Sequence, residues 1–335
     1  MYCGPSLVKP PDPKICPLLE VGPNAFGQKM VYKTTAKKLL ADLDAGVGSG
    51  TGDDYQPWIK VTKKNTSARS NQSIAKVPGL KRLCHFLSRG EKDLSHTLWW
   101  IGAADVREQY PLFPWEHPHP RNQVDATQDW GLHPGVQAIA KDAGIRVPVY
   151  PRIQIPIVLT LDLVATSRWP DGTYRNLVGF SCKAKSEYLR EDQPPWFRER
   201  LELDRRYCTV AAIPHLLVHP ERLPGRLPRV LEGLAPHATL EEMRAIRASA
   251  RYLRFVECLE RWAYGMPACI AANVAGRRVG WTHEEAGIHL RMAMWCQDVD
   301  VDLSKRTNMA APLVRGGREL RQKLRRTLLG DANDA

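Results

Sequence analysis

The sequence predicts an α/β fold, because two neighbouring strand patterns are flanked by helical patterns. Residues 157–164 are β-branched and apolar, and residues 174–183 form a second strand pattern. Between them lies the turn sequence Trp169-Pro170-Asp171-Gly172, in which proline pre-sets φ and glycine adopts a positive φ at little cost. We therefore expect these two strands to form a β-hairpin.

Helices are predicted before and after this hairpin. Residues 88–101 place apolar side chains on one face at helical spacing, and Ser88 with Glu91 three residues later has the form of a capping box. A second helix is predicted over 194–207, since proline is tolerated in a first turn. Residues 213–219 predict a further strand, which completes the α/β part.

The C-terminal part, from residue 221, is predicted to be mainly helical after a proline-rich linker. Capping boxes open two long helical patterns, 239–264 and 282–296. The alternating run 299–303 predicts a short strand. Helices followed by a short strand in a basic chain predict a winged-helix-like or helix-turn-helix module, with a plain helical bundle as the alternative.

The first part of the chain, residues 1–54, is rich in proline and glycine and predicts a partly flexible N-terminal extension. A short helix is expected around Lys37. Order is expected to begin near Tyr55, so the predicted domains are 1–54, 55–220 and 221–335. Within the middle domain, residues 111–135 are rich in proline and histidine and predict a loop.

Composition narrows the functional classes. An apolar content of 43% excludes a mainly disordered chain, and 48 Lys and Arg against 36 Asp and Glu give a net charge of +12. This charge favours nucleic acid over a membrane surface as partner. No apolar run approaches the ~20 residues of a membrane helix and no signal peptide is visible, so we expect a soluble, intracellular protein. The eight cysteines form no C-x-x-C pair and predict reduced thiols.

Asp162 and Lys183 are the first candidates for chemistry. Asp162 lies among apolar neighbours, where an unpaired charge is costly, and Ser181 and Lys183 alternate onto one face of the second strand. A carboxylate that holds Mg²⁺ and a lysine that orients water or stabilises a leaving oxygen are what a metal-dependent nuclease needs. Glu91, on the first predicted helix, is the candidate for a second carboxylate.

Spacing alone leaves structural roles open at each of these positions. Glu91 is also explained as a capping-box residue, Asp162 as a paired edge charge and Lys183 as a solvated strand residue. His117 and His119 are poor candidates for the same metal, since imidazole favours softer ions than Mg²⁺.

A series of motifs along the chain supports the nuclease hypothesis. The most distinctive is Asp105-Val106-Arg107-Glu108-Gln109-Tyr110-Pro111-Leu112. The others, in chain order, are 55–61, 81–88 with Glu91, 138–145, 159–164, 181–183 and 201–207. Together they resemble the TnsA family of transposon end-cleaving endonucleases over about 55–220. The C-terminal part resembles the family only loosely.

The resemblance implies a restriction-endonuclease-like core, a mixed sheet flanked by helices. It implies that Glu91 and Asp162 bind Mg²⁺, with Mn²⁺ as a substitute, and that Lys183 is the catalytic lysine. The family usually has Gln two residues before that lysine, where this chain has Ser181, so the supporting role of that side chain is in doubt. Glu202 is implied as a further supporting residue, with an ordinary exposed helix charge as the alternative.

The resemblance also implies a function. The chain would cut the 5′ strands at transposon ends during cut-and-paste transposition, together with a TnsB-like DDE transposase and a TnsC-like AAA+ regulator. The expected location is the bacterial cytoplasm, on the nucleoid when active. Two alternatives stay open: a non-catalytic DNA-binding adaptor with a degenerate core, favoured by Ser181, and a stand-alone restriction-type or repair nuclease.

The C-terminal tail is strongly basic and is the candidate DNA-binding segment. Phosphate contacts are predicted for five cationic side chains, with a protein partner or a solvated helix face as alternatives. These side chains are Arg318, Arg321, Lys323, Arg325 and Arg326.

Overall fold

The computed structural model describes residues 34–62 and 71–330, apart from 152, 170 and 237. Most of the predicted N-terminal extension and Pro170 of the predicted turn therefore lie outside the described residues. The helices are α1 (Ala36–Asp44), α2 (Arg89–Trp100), α3 (Gly135–Asp142), α4 (Lys185–Tyr188), α5 (Pro195–Val210), α6 (Leu227–Leu234), α7 (Leu240–Ala248), α8 (Ala250–Trp262), α9 (Ala268–Arg278), α10 (His283–Cys296) and α11 (Gly317–Leu329). The strands are β1 (Ser73–Lys76), β2 (Leu83–Phe86), β3 (Asp105–Leu112), β4 (His117–Pro118), β5 (Leu132–His133), β6 (Leu159–Arg168), β7 (Tyr174–Cys182) and β8 (His215–Val218).

A mixed four-stranded sheet in the order β3-β6-β7-β8 forms the centre of the structure. β6 pairs antiparallel with both β3 and β7, and β8 runs parallel to β7. The predicted hairpin is confirmed as β6–β7, with Leu163 opposite Phe180. The predicted strand at 213–219 is confirmed as β8. A mixed α/β architecture is thus present, as the sequence predicts.

Helices cover both faces of this sheet, which explains why its central strands are buried almost throughout. On one face α2 packs with Leu94 and Leu98 into a core that includes Leu163 and Phe180. On the other face α3 and α5 enclose a second core around Leu161. α2 and α5 therefore hold opposite sides of the strands that carry the predicted site residues.

One sequence prediction for the middle domain needs correction, and one strand was not predicted. Residues 111–135 are not simply a loop, since they contain the end of β3 and the short pair β4–β5. β3 itself has no sequence prediction as a strand, because charged residues interrupt its apolar pattern. In the structure Glu108 forms a two-pronged ion pair with Arg82, with Nη1–Oε1 at 2.6 Å and Nη2–Oε2 at 2.9 Å, so its charge is compensated inside the fold.

The C-terminal part is helical in the described residues after 221, and two of its predicted elements differ from expectation. The single helix expected over 239–264 is two helices, because Ser249 has an extended backbone and its hydroxyl caps Tyr252 N–H at the start of α8. The strand expected at 299–303 is wrong. There the carboxylate of Asp300 accepts hydrogen bonds from Gly316 N–H and Arg318 N–H, which ties this segment to the start of α11. The winged-helix-like prediction, which relied on that strand, is not confirmed.

The helical part packs directly on the α/β part. Residues of α2, β6 and β7 share one hydrophobic core with residues of α6, α8, α9 and α10. Glu232 of α6 forms ion pairs with Arg89 and Lys92 of α2. The helix that supplies Glu91 is thereby held from two sides.

Two further predictions concern composition. No described helix has the length and apolarity that crossing a membrane requires. Six cysteines lie in the described part and all of them are free thiols, as predicted: Cys84, Cys182, Cys208, Cys258, Cys269 and Cys296.

Candidate active site

Three elements bring Glu91, Asp162 and Lys183 together. Glu91 lies in the first turn of α2, Asp162 in the middle of β6, and Lys183 directly after β7. Lys183 Nζ lies 3.1 Å from Asp162 Oδ2, which also accepts the Cys182 N–H at 2.6 Å. The hairpin thus places the lysine against the aspartate, and α2 brings the second carboxylate into their electrostatic range.

Glu91 is buried, with only 4% of its surface exposed. Its Oε1 accepts the Ser88 hydroxyl at 2.9 Å, and its Oε2 accepts Leu87 N–H at 2.9 Å. Ser88 Oγ in turn accepts Glu91 N–H at 3.2 Å, so the predicted helix start is confirmed. The capping role and the place beside Asp162 therefore belong to the same carboxylate.

The electrostatics of this cluster are dominated by burial and by two neighbouring carboxylates. Burial, followed by the negative charge of Asp162, raises the pKa of Glu91 to about 8. Burial alone would lower the pKa of Lys183, but the charges of Asp162 and Glu91 raise it above its usual value. At neutral pH the lysine therefore stays cationic. Its single positive charge does not fully compensate the negative charge that Glu91 carries when it is ionised beside Asp162.

This donor set fits a hard divalent cation. Both carboxylates supply oxygen, and among the described residues none donates a hydrogen bond to Asp162 Oδ1. Cys182 is nearby, but burial and the charges of Asp162 and Glu91 raise its pKa well above the usual value, so it stays a neutral thiol. The described residues contain no cluster of three or more His, Cys, Asp and Glu side chains arranged for a metal. Two carboxylates with water or phosphate oxygens are, however, the usual surroundings of Mg²⁺.

Ser181 faces a different set of partners from those that the sequence suggested. Its hydroxyl donates to Asp204 Oδ2 at 2.9 Å and lies 3.0 Å from His215 Nε2. Because the hydroxyl has one proton, His215 Nε2–H is the donor in the second contact. Burial and Arg200 lower the pKa of His215 to about 4, so its ring is neutral at pH 7.

Glu202, which the resemblance implies as a supporting residue, lies apart from the cluster, and Asp204, for which the sequence suggested no role, faces the sheet. Glu202 pairs with Arg205 and Arg206 on the outer side of α5, and these hydrogen bonds lower its pKa to about 2. Among the described residues it makes no hydrogen bond or ion pair with the cluster of Glu91, Asp162 and Lys183. Asp204, only 4% exposed, is the α5 carboxylate that faces the sheet and also pairs with Arg200. Its place in the apolar helical repeat of α5 is the signal that sequence reasoning missed.

Replacing Asp204 is expected to destabilise the fold more than replacing Ser181. Asp204→Ala removes the acceptor of the Ser181 hydroxyl and a charged partner of Arg200, and should lower the free energy of unfolding by about 3 kcal/mol. Ser181→Ala removes two hydrogen bonds between neutral or partly compensated groups and should cost about 1–2 kcal/mol. Urea denaturation measures both, with the exposed Asp192→Ala as control. Equal costs for Asp204→Ala and Ser181→Ala would contradict this ranking.

The C-terminal arginines are engaged within the protein. Arg321 Nη1 donates to Cys296 O at the end of α10, and Arg325 Nη1 donates to Ile101 O and Gly102 O after α2, each at 2.9–3.0 Å. Arg318 Nη2 donates to Glu260 Oε1 at 2.8 Å. These contacts satisfy helix carbonyls and attach α11 to the fold. The prediction that Arg318, Arg321, Lys323, Arg325 and Arg326 bind DNA stays untested.

The loop histidines also have structural partners. His117 lies within 2.8 Å of both Trp115 O, through Nδ1, and Tyr207 Oη, through Nε2. His119 Nδ1 accepts Arg121 N–H at 3.2 Å. These bonds account for both side chains without a metal.

Comparison with known proteins gives one informative similarity. No family model matches the chain. The chain is 30% identical over 173 residues to "Transposon Tn7 transposition protein TnsA" of Escherichia coli. The similar region covers 51% of this chain and 52% of that protein, so the chain spans about half the length of the curated relative it matches. The chain is therefore similar to TnsA over about half its length.

Proposed function

We propose that the chain belongs to the TnsA family and is a Mg²⁺-dependent endonuclease that cuts the 5′ strands at transposon ends. The observation that supports this most is the meeting of Glu91, Asp162 and Lys183 from α2, β6 and the end of β7. The similarity to a Tn7 transposition protein favours transposon ends as the DNA.

The residues of the site divide the work of phosphodiester hydrolysis. Glu91 and Asp162 would hold the metal ion, which when bound polarises oxygen and favours the ionised form of water. Lys183, cationic and 3.1 Å from Asp162 Oδ2, is placed to orient the attacking water or to stabilise the leaving oxygen. As the water oxygen bonds to phosphorus it gives up a proton to solvent, the bond from phosphorus to the leaving oxygen breaks, and that oxygen takes up a proton from solvent.

The partners follow from the same proposal. A TnsB-like DDE transposase would process the 3′ ends, and a TnsC-like AAA+ protein would regulate the assembly. Phosphate attraction by a chain of charge +12 supports DNA as a ligand, although it carries no sequence information. The C-terminal helices, α6 to α11, are the proposed surface for partner and DNA contact.

Withdrawal of divalent metal tests this function. Wild-type chain is combined with the neighbouring transposase and ATPase proteins, and both strands at each transposon end are followed. With Mg²⁺ we expect cleavage of the 5′ strands, and Mn²⁺ should substitute. The DDE transposase also needs metal, so the 5′-strand cuts are scored on transposon ends whose 3′ strands have been nicked beforehand. On these ends EDTA should abolish the 5′-strand cuts.

The same assay separates the alternatives. An adaptor would leave 5′ strands uncut while still promoting 3′-strand joining. A stand-alone nuclease would cut DNA with no partner protein present. Either result would contradict the proposed role of this chain.

A further inference from the structure

Gln109 links the carboxylate of Glu91 to the strand that carries Asp162. It lies in the middle of β3 and is 0% exposed. Its Nε2 donates to Glu91 Oε2 at 3.0 Å, and its Oε1 accepts the Thr160 hydroxyl at 2.9 Å. One amide thus ties α2 to β6, two residues before Asp162.

The backbone of Gln109 is strained at the same point. Its φ is +48°, in the left-handed region that is unfavourable for a residue with a Cβ atom. Glu108 pairs with Leu163 and Tyr110 with Leu161, so the interruption at Gln109 lies across from Asp162. Strain of this kind persists only where surrounding contacts impose it, and it is often found at functional sites.

The chemistry of the amide fixes its orientation. In the metal-bound form that this inference presupposes, Glu91 is ionised and only accepts hydrogen bonds, so the NH₂ group must face Glu91. The carbonyl oxygen then faces Thr160, whose hydroxyl has a proton to donate. Reversing the amide would put its carbonyl oxygen against Glu91 Oε2 and break that bond, so the observed orientation holds Glu91 Oε2 in one position relative to β6.

We propose that Gln109 is a positioning residue that holds the carboxylate of Glu91 at the distance from Asp162 that one divalent cation requires. This inference rests on the proposed function, since it presupposes a metal between the two carboxylates. It adds a residue to the set of Glu91, Asp162 and Lys183. It also gives a reason for the strained backbone in β3. Metal-bound ligands are commonly held in this way, and loss of such a partner typically lowers metal affinity about 10–100-fold.

The test measures Mn²⁺ affinity of the full chain by calorimetry, without DNA. Gln109→Met keeps the length of the side chain and removes both hydrogen bonds. We expect the dissociation constant for Mn²⁺ to rise about 10–100-fold relative to wild type. In a Glu91→Gln background the same substitution should change the residual affinity by less than about 2-fold, because the carboxylate that it positions is gone.

Thr160→Val is the second variant, and it decides the matter if Gln109→Met does not fold. It leaves Gln109 and Glu91 in place and removes only the hydroxyl that fixes the amide. Its Mn²⁺ affinity should fall in the same direction by a smaller factor. Unchanged affinity in the folded variants would overturn the inference, as would an equal loss with and without Glu91.

Failure of the proposed function gives a different pattern. If wild type binds no Mn²⁺, or if Glu91→Gln binds it as tightly as wild type, the metal site itself is wrong and the positioning role falls with it. If Glu91→Gln weakens binding but Gln109→Met does not, the metal site stands and only the role of Gln109 is overturned.

Discussion

Asp162→Ala is expected to abolish cleavage of the 5′ strands while leaving the fold intact. The substitution removes a metal-binding oxygen and the counter-charge of Lys183 at once. If the metal supplies roughly 4 kcal/mol of transition-state stabilisation, its loss lowers the rate of 5′-strand cleavage about 1,000-fold. Joining of the 3′ ends by the partner transposase should continue, so the products shift to cointegrates.

The control for this variant is Asp192→Ala. Asp192 is exposed and pairs with Arg190 in the segment between α4 and α5. Its substitution should leave cleavage within about 2-fold of wild type, because surface ion pairs contribute little. If Asp162→Ala cuts 5′ strands as fast as Asp192→Ala, the aspartate is structural and the adaptor interpretation becomes the better one.

Glu91→Gln is expected to lose 5′-strand cleavage. At alkaline pH its free energy of unfolding should rise relative to that of wild type. The amide oxygen of Gln still accepts the N–H of Leu87, so the start of α2 is preserved. The metal loses one of its two charged ligands, and cleavage should fall about 1,000-fold, as for Asp162→Ala. The gain in stability comes from the buried charge that the variant no longer has to accommodate.

The direction of this stability effect follows from the pKa. In the metal-free fold the pKa of Glu91 is raised to about 8 from an ordinary value near 4.5, so the folded state binds a proton that the unfolded state releases in this range. The free energy of unfolding of wild type therefore falls as pH rises from about 4.5 to 8, by up to about 1.4 kcal/mol per pH unit from this group. Glu91→Gln lacks this slope.

Urea denaturation at pH 5.5, 7 and 8.5 in the presence of a chelator measures the difference. The exposed Glu199→Gln serves as control and should keep the wild-type pH dependence. Parallel curves for wild type and Glu91→Gln would show that Glu91 does not titrate as its burial implies. Addition of Mn²⁺ should stabilise wild type and leave Glu91→Gln nearly unchanged.

The sequence predicted those parts of the fold that local chemistry determines. Ser88 caps α2 through its own hydroxyl, and β6 and β7, whose apolar patterns are continuous, pair as a hairpin close to Gly172. Both features depend on residues close together in the chain. The same is true of the capping boxes at Thr239 and Thr282, which the structure confirms.

The parts that could not be predicted depend on distant partners. β3 is buried along its whole length although it contains Arg107 and Glu108, and Glu108 is acceptable there because Arg82 pairs with it and His85 N–H donates to it. Asp204 and Gln109 likewise take their roles from residues far along the chain. Glu91, Asp162 and Lys183 were found because the resemblance supplied their joint role, which spacing alone left open.

The central claim is that Glu91 and Asp162 share one divalent cation beside Lys183. A crystal structure of the chain with Mn²⁺, read from the anomalous scattering of the metal, tests it most directly. We expect one anomalous peak between the two carboxylates, bonded to an oxygen of each, and no peak there in Asp162→Ala. A peak that contacts neither carboxylate, or none at saturating Mn²⁺, would contradict the claim.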